Sequence, residues 1–230
     1  MKNNVYKMDN SIQKLMSGKH TYFLDEKEFK DISFKLKNKN YEIYKPYKDS
    51  EKVILYNNEI PDVSLYKINC LDKLRHQDIL GSIMNLGISS SYLGDIIIDN
   101  DNYYFYIIST LDNFIKDNLN KIGSKFITLE KIDIKLLESY ERKYEENEII
   151  VSSLRIDNVI SKIINTNRKE VLNKIKEKQV ILNYDILTKN EYVLKENDIF
   201  SIRKHGKYKF VSVVNNTKKN NLVIKYLRYI

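Results

Sequence analysis

The 230-residue chain carries 39 Lys and Arg against 31 Asp and Glu, a net charge of +8, with 42% hydrophobic and 30% charged residues. That length can bury a real core in one or two domains, and only 6 Gly and 2 Pro argue against long disordered linkers. One cysteine, Cys70, excludes an internal disulfide and any cysteine-based metal cluster, and the lack of an apolar run long enough for a membrane span or a signal peptide predicts a cytoplasmic protein without membrane insertion.

In chain order, Val5, Met8, Ile12, Leu15 and Met16 predict a weakly amphipathic helix that stops at Ser17-Gly18. A second helix is expected from about Asp25, with Glu26 and Glu28 in its first turn and Phe29, Ile32 and Leu36 on one face. Strand-like runs follow at 41–44, 53–56 and 63–68, separated by Pro46 and Asn57-Asn58. Residues 1–70 thus read as a small α+β unit without a chemical motif.

Residues 71–140 read as a middle α-β-β-α-β domain, plait-like, with helices on one face of its sheet. The first helix takes Leu71, Leu74, Ile79, Leu80, Ile83, Met84 and Leu86 on its apolar face and stops at Gly87. A hairpin is expected from 96–98 to 103–108, turning at residues 99–102. Thr110 can cap a second helix, with Leu111, Phe114, Ile115, Leu119 and Ile122 on one face and a stop at Gly123; a closing strand follows at 126–129. The aromatic run 103–106 has the composition of strands on which RNA bases stack, but it lacks the glycine-containing pattern of such strands, and a half-buried core strand is the favoured reading. Arg75 and His76 sit in a polar helix turn with Asp78, a secondary RNA contact at most, and one His with one Asp is too little for metal or acid–base chemistry.

Residues 141–150 read as a charged connector, rich in Glu. Beyond it the charge changes sign. Residues 151–230 hold 17 Lys and Arg against 7 Asp and Glu, a net +10, while residues 1–150 hold 22 against 24, a net −2. A C-terminal third so basic points to a polyanion partner.

Within it, Ile156, Val159, Ile160, Ile163 and Ile164 form one helical stripe, with Arg155, Asp157, Asn158 and Lys162 assigned to the other face. Asn167 with Glu170 three residues on starts a second helix carrying Arg168 and Lys169 in its first turn and Lys174, Lys176 and Lys178 outward. Strands are expected at 180–182, 199–203 and 208–213, with Lys204 and Lys207 in a basic turn and a further strand extension at the C-terminus. Helix N-termini and these cations together suit phosphate.

The order Arg-Ile-Asp (155–157), Asn-Arg-Lys-Glu (167–170), Val-Ile-Leu-Asn (180–183) and Asn-Asp-Ile (197–199) resembles the S-four type of RNA-binding domain, an αL-like fold. Lys178 and Asn197 stand where that family commonly has Gly, and Lys adopts the left-handed backbone less easily than Asn. His-Gln-Asp-Ile-Leu-Gly (76–81) and Leu-Gly-Ile…Gly-Asp-Ile (86–96), joined to Arg-Ile-Asp, extend the resemblance to the YlmH family over nearly the whole chain, with Ser89 and Ser90 where relatives carry a basic residue. The resemblance implies a three-part α+β chain that binds RNA without catalysis. Its implied partners are ribosomal RNA of the large subunit and tRNA or peptidyl-tRNA. Its implied role is rescue of stalled translation by alanine tailing, and a cell-division partner is the alternative. It implies RNA contacts at Arg155 and Arg168 first, then Lys169, Lys176 and Lys162, no cofactor and a monomeric state. An RNA-modifying enzyme such as a pseudouridine synthase is the less favoured reading, because no Gly-rich cofactor loop and no catalytic domain of suitable size are present.

Overall fold

The computed structural model describes residues 2–37 and 39–230, with side chains from residue 9 onward. The chain is mixed α and β and divides into two compact units, Met1–Glu141 and Arg142–Ile230.

In the first unit, α1 (Lys2–Met16) and α2 (Glu26–Lys35) precede a small hairpin of β1 (Glu42–Tyr44) and β2 (Ile54–Tyr56). The side chains of Val5 and Met8 lie outside the described residues. Ile12 and Leu15 pack with Leu24, Ile32, Leu36 and Leu55, whereas Met16 is exposed. The α2 start is a full capping box: the Glu28 N–H donates to the Asp25 carboxylate at 2.8 Å, and the Asp25 N–H donates back to Glu28 at 3.2 Å.

Then come β3 (Val63–Asn69), α3 (His76–Asn85), β4 (Leu93–Asp99), β5 (Asn102–Ile108), α4 (Asp112–Asn118), the short hairpin β6 (Lys121–Ile122) and β7 (Lys125–Phe126), and β8 (Thr128–Ile132). The sheet order is β4-β5-β3-β8, antiparallel throughout. With the small hairpin set aside, this is a β-α-β-β-α-β plait of the ferredoxin-like kind. Its first strand is β3, which the sequence reading assigned to residues 1–70. The plait therefore begins before residue 71.

Several predicted helix bounds shift. Leu71 is exposed and lies before α3, which begins at His76. Thr110 caps nothing: a 3₁₀ turn at Ser109–Leu111 leads into α4, which ends by Asn118. Ile122 instead pairs with Lys125 across a turn at Gly123 (φ +61°), and its side chain still reaches the core with Ile115 and Leu119. Phe114 is exposed.

Alternation along the strands sends Tyr66, Ile68, Phe105 and Ile107 to the helix side and Leu65, Ile97, Tyr106 and Ile108 to the other. That second face is closed by Phe23, Tyr47 and Ile54 from the N-terminal segment. Tyr47 stacks on Tyr106 with ring centres 5.6 Å apart. Gly94 makes the closure possible, since a Cβ there would lie 2.8 Å from both Phe23 Cζ and Tyr106 Cβ. Next to it the buried Asp95 accepts from Tyr47 Oη (2.7 Å), the Glu51 N–H (2.7 Å) and Ser50 Oγ (3.3 Å). The Gly-Asp pair singled out in the sequence thus latches the N-terminal segment to the plait.

The second unit comprises β9 (Tyr144–Val151), α5 (Ile156–Ile163), α6 (Arg168–Lys176), β10 (Val180–Leu182), β11 (Asp185–Ile186), β12 (Ile199–Ile202), β13 (Gly206–Asn216) and β14 (Leu222–Tyr229). They form one antiparallel sheet in the order β11-β10-β12-β13-β14-β9, with Ile156, Val159, Ile160, Val171 and Ile175 of the helix pair packed on Val180, Phe200, Ile202, Phe210 and Ile224. The predicted connector at 141–150 is a correction: from Tyr144 it is the edge strand β9, paired along its whole length with β14. Its acidic residues meet the basic strand beside it, Glu146 with Lys225 at 2.7 Å and Glu145 with Arg228 at 3.6 Å. Cross-strand charge pairing, and the tolerance of an edge for charge, explain why a Glu-rich run is a strand.

Candidate nucleic-acid interface

The second unit holds 19 Lys and Arg against 10 Asp and Glu, a net +9, and the first holds 20 against 21, a net −1. The candidate interface starts at the N-terminus of α5. Arg155 occupies its cap position with extended backbone, tied by a β-bridge to Val193, and Asp157 follows in the first turn. Asp157 and Asn158, expected on the exposed face, are both buried. Asn158 is satisfied by Ser152 Oγ (3.1 Å) and the Ser153 carbonyl (3.0 Å), so it fastens the chain entering the helix.

Asp157 is the centre of the site. Its side chain is only 2% exposed, yet it meets two guanidinium groups. Arg155 donates Nε to Oδ1 at 3.3 Å and Nη2 to Oδ2 at 3.0 Å, and Arg168, from the first turn of α6, donates Nη2 to Oδ2 at 2.8 Å. Burial alone would raise the Asp157 carboxyl; the hydrogen bonds and charges of the two arginines outweigh it and hold the group below its ordinary value of 3.8. The arginines stay accessible, Arg155 at 35% and Arg168 at 51%. A guanidinium has five N–H donors, so each can hold the carboxylate and still meet a phosphate. The arrangement orients two cations from two helices on one buried anion.

The α6 start is fixed by the Asn167 side chain, which accepts from the Glu170 N–H at 2.9 Å, while Glu170 bonds the Thr166 hydroxyl instead of closing the capping box. Lys169 and Lys176 are exposed along α6, as is Lys162 in the last turn of α5, while Lys174 is half-buried. At the end of α6, Lys178 takes φ +57°, its N–H donates to the Ile175 carbonyl (3.0 Å) and the Gln179 N–H to the Lys174 carbonyl (2.8 Å). That is the Schellman pattern. The turn is therefore kept with Lys in the glycine position, and Asn197 is likewise left-handed at φ +71°.

Lys204 lies across a groove of about 540 Å³ from α6, lined also by Glu170, Lys174, Glu177 and Arg203. Arg203 went unremarked as a site residue in the sequence, where nothing shows that a β-turn folds beside the helix, and Lys174, expected outward, is half-buried in this lining. Burial, with Lys174 nearby, pushes the His205 imidazole below its ordinary value. Lys207 is not part of this groove and lies over the rings of Tyr229 (4.6 Å) and Tyr184 (5.5 Å).

Arg75 and His76 belong to the first unit, at the start of α3, where Arg75 grips Asp78 through two 2.8 Å bonds. At the Ser89–Ser90 loop a cation arrives from elsewhere: Lys52 Nζ donates to the carbonyls of Ser90 (3.1 Å) and Leu93 (2.6 Å). The aromatic run on β5 is core, as favoured: Tyr103, Phe105 and Tyr106 are buried and Tyr104 is half-buried. Among the described residues no group of three or more His, Cys, Asp or Glu could hold a metal ion, and no helix is long and apolar enough to cross a membrane.

A four-stranded plait in one unit and a basic helix pair on an antiparallel sheet in the other define a protein with two candidate RNA-facing modules. Residues 62–136, the plait itself, match the family described as "Putative RNA-binding domain in YlmH". The chain is 25% identical over 170 residues to the ribosome-associated protein quality control protein P2 of Bacillus subtilis (strain 168), covering 73% of this chain and 66% of that protein's length. A solved structure titled cell division protein ylmH from Streptococcus pneumoniae aligns with a TM-score of 0.48 and 24% identity, covering 59% of this chain and 92% of that one. The resemblance to YlmH proteins read from the sequence is borne out by the family match and the curated relative.

Proposed function

We propose that this protein is a non-catalytic RNA-binding factor that docks on the large ribosomal subunit, touches ribosomal RNA and tRNA, and serves in the rescue of stalled translation with alanine tailing. The observation that carries the reading is the Arg155–Asp157–Arg168 cluster: two accessible guanidinium groups on a buried carboxylate, in a unit of net charge +9. Contacts of this kind fix a protein on phosphates rather than read bases, which suits folded RNA recognised by shape. The plait's match to an RNA-binding domain and the name of the Bacillus relative support the same assignment. Lys169, Lys176 and Lys162 extend the cationic surface beyond the pair.

The test is gradient sedimentation of lysate containing the wild type or Arg168→Ala. The wild type should travel with large-subunit particles, and the variant should shift toward the top of the gradient. A wild type that never travels with ribosomal particles contradicts the proposal. Modified nucleosides in ribosomal RNA incubated with the protein would contradict its non-catalytic part.

A further inference from the structure

The N-terminal segment closes the plait sheet over Leu65, Ile97, Tyr106 and Ile108, but it leaves one end of that face open. By the two-residue alternation of strands, Lys67 and Asn69 of β3, Asn102 of β5 and Thr128 of β8 point to the same face as Leu65, Tyr106 and Ile132. The pairing places Thr128 directly opposite Asn69. These four residues line a groove of about 490 Å³, to which no residue before Lys67 contributes. Phe126 forms part of its wall.

Phe126 is unusual. It is 75% exposed, although it sits in a hairpin that is well anchored: the Gly123 N–H donates to Ser82 Oγ at 3.1 Å, and Lys125 Nζ donates to the Lys73 carbonyl. A large apolar ring held rigidly in water has no part in the core. Its cross-strand partner Lys121 holds Nζ 4.2 Å from the ring centre. The groove therefore combines an exposed aromatic ring, the lysine at 67, and amide and hydroxyl side chains able to meet a base edge, Asn102 through its Oδ1 because its Nδ2 holds the Asp99 carbonyl at 3.2 Å. Lys121, over the ring, lies outside the lining. Asp101, also in the lining, is paired with Lys73 at 3.6 Å.

We propose that this groove is a subsite for one unpaired nucleotide of RNA, with the base stacked on Phe126, its edge facing Asn69, Asn102 and Thr128, and the flanking phosphates met by Lys67 and Lys121. The proposal rests on the RNA-binding reading and gives the plait a contact of its own, separate from the helix pair. Stacking on an aromatic ring between cations is how proteins hold single-stranded RNA with little sequence preference. The usual centre of such a sheet is filled here by Phe23 and Tyr47, so the base is received at the sheet's end, where the added hairpin supplies the ring.

The experiment uses the full chain and a fluorescein-labelled oligouridylate of about ten nucleotides. Phe126→Ala should weaken binding about 5- to 150-fold, Phe126→Tyr should restore most of it, and neither should alter the salt slope. Lys67→Ala should instead lower the slope by about 0.7. Phe126 is exposed, so its truncation removes nothing from the core, and recovery by Tyr checks that the variant folds. Unchanged affinity in Phe126→Ala, or no oligonucleotide binding by the wild type, overturns the subsite. If the wild type also fails to travel with ribosomal particles, the RNA-binding reading falls with it; if it does travel with them, only the subsite is lost.

Discussion

Each unit buries an aspartate that its sequence motif made conspicuous, and the two do different things. Asp95 accepts from a tyrosine hydroxyl, a serine hydroxyl and a backbone N–H of the segment 47–51, and so fastens the N-terminal segment to the plait. Asp157 is met by two half-exposed arginines and serves to organise a surface. A buried carboxylate needs partners in either case. The tyrosine, serine and N–H donors to Asp95 come from one neighbouring segment of chain, whereas Asp157 holds two guanidinium groups that stay accessible, in a unit of net charge +9 against −1 for the other.

The comparison can be broken from the latch side first. Gly94→Ala would press a methyl group against Phe23 and Tyr106, so urea unfolding should show a loss of about 2–3 kcal/mol, with the proposed ribosome association intact. If association is lost in step with that stability, the latch and the site are not separate. From the site side, Asp157→Asn should cost about 1.5–3 kcal/mol by removing charge-assisted bonds, and it should also weaken RNA binding. The pH dependence has a definite sign. The Asp157 carboxyl is depressed in the folded state, so its stabilisation is fully present above the ordinary value of 3.8 and is lost as pH falls through the lower folded value. The stability gap between wild type and Asp157→Asn should therefore be constant near neutrality and close below about pH 4. A gap that widens on acidification would contradict the ion-pair geometry. The smallest effect is expected at Lys178, whose left-handed backbone strains a residue with a Cβ. Lys178→Gly should raise thermal stability by less than about 1 kcal/mol, since relief of strain is offset by greater freedom in the unfolded chain. A clear loss of stability would mean that the lysine side chain does more than tolerate the turn.

Local signals carried far in this chain. The helix pair was legible from the stripe Ile156, Val159, Ile160 and from Asn167, because a helix with one buried face writes its period into the sequence. Strand membership was harder. β3 looked like part of the N-terminal unit because adjacency in sequence says nothing about which sheet a strand joins, and β9 looked like a linker because its Glu residues find their partners on β14, some eighty residues away. Arg155 and Arg168 were legible as site residues through the family motif. Their union on Asp157 was not, since residues 155 and 168 meet only once α5 and α6 have packed. The environment of Phe126 was equally hidden, because a Phe in a strand-like run reads as core until the hairpin's position leaves it in water.

The central claim is that Arg155 and Arg168, held by Asp157, contact RNA phosphates. The most direct measurement is the salt dependence of binding to purified large subunits for the wild type, Arg155→Gln and Arg168→Gln. Each substitution should reduce the slope of log affinity against log salt by about 0.7–0.9, one phosphate contact apiece, and weaken binding at every salt concentration. Slopes and affinities equal to those of the wild type in both variants would contradict it.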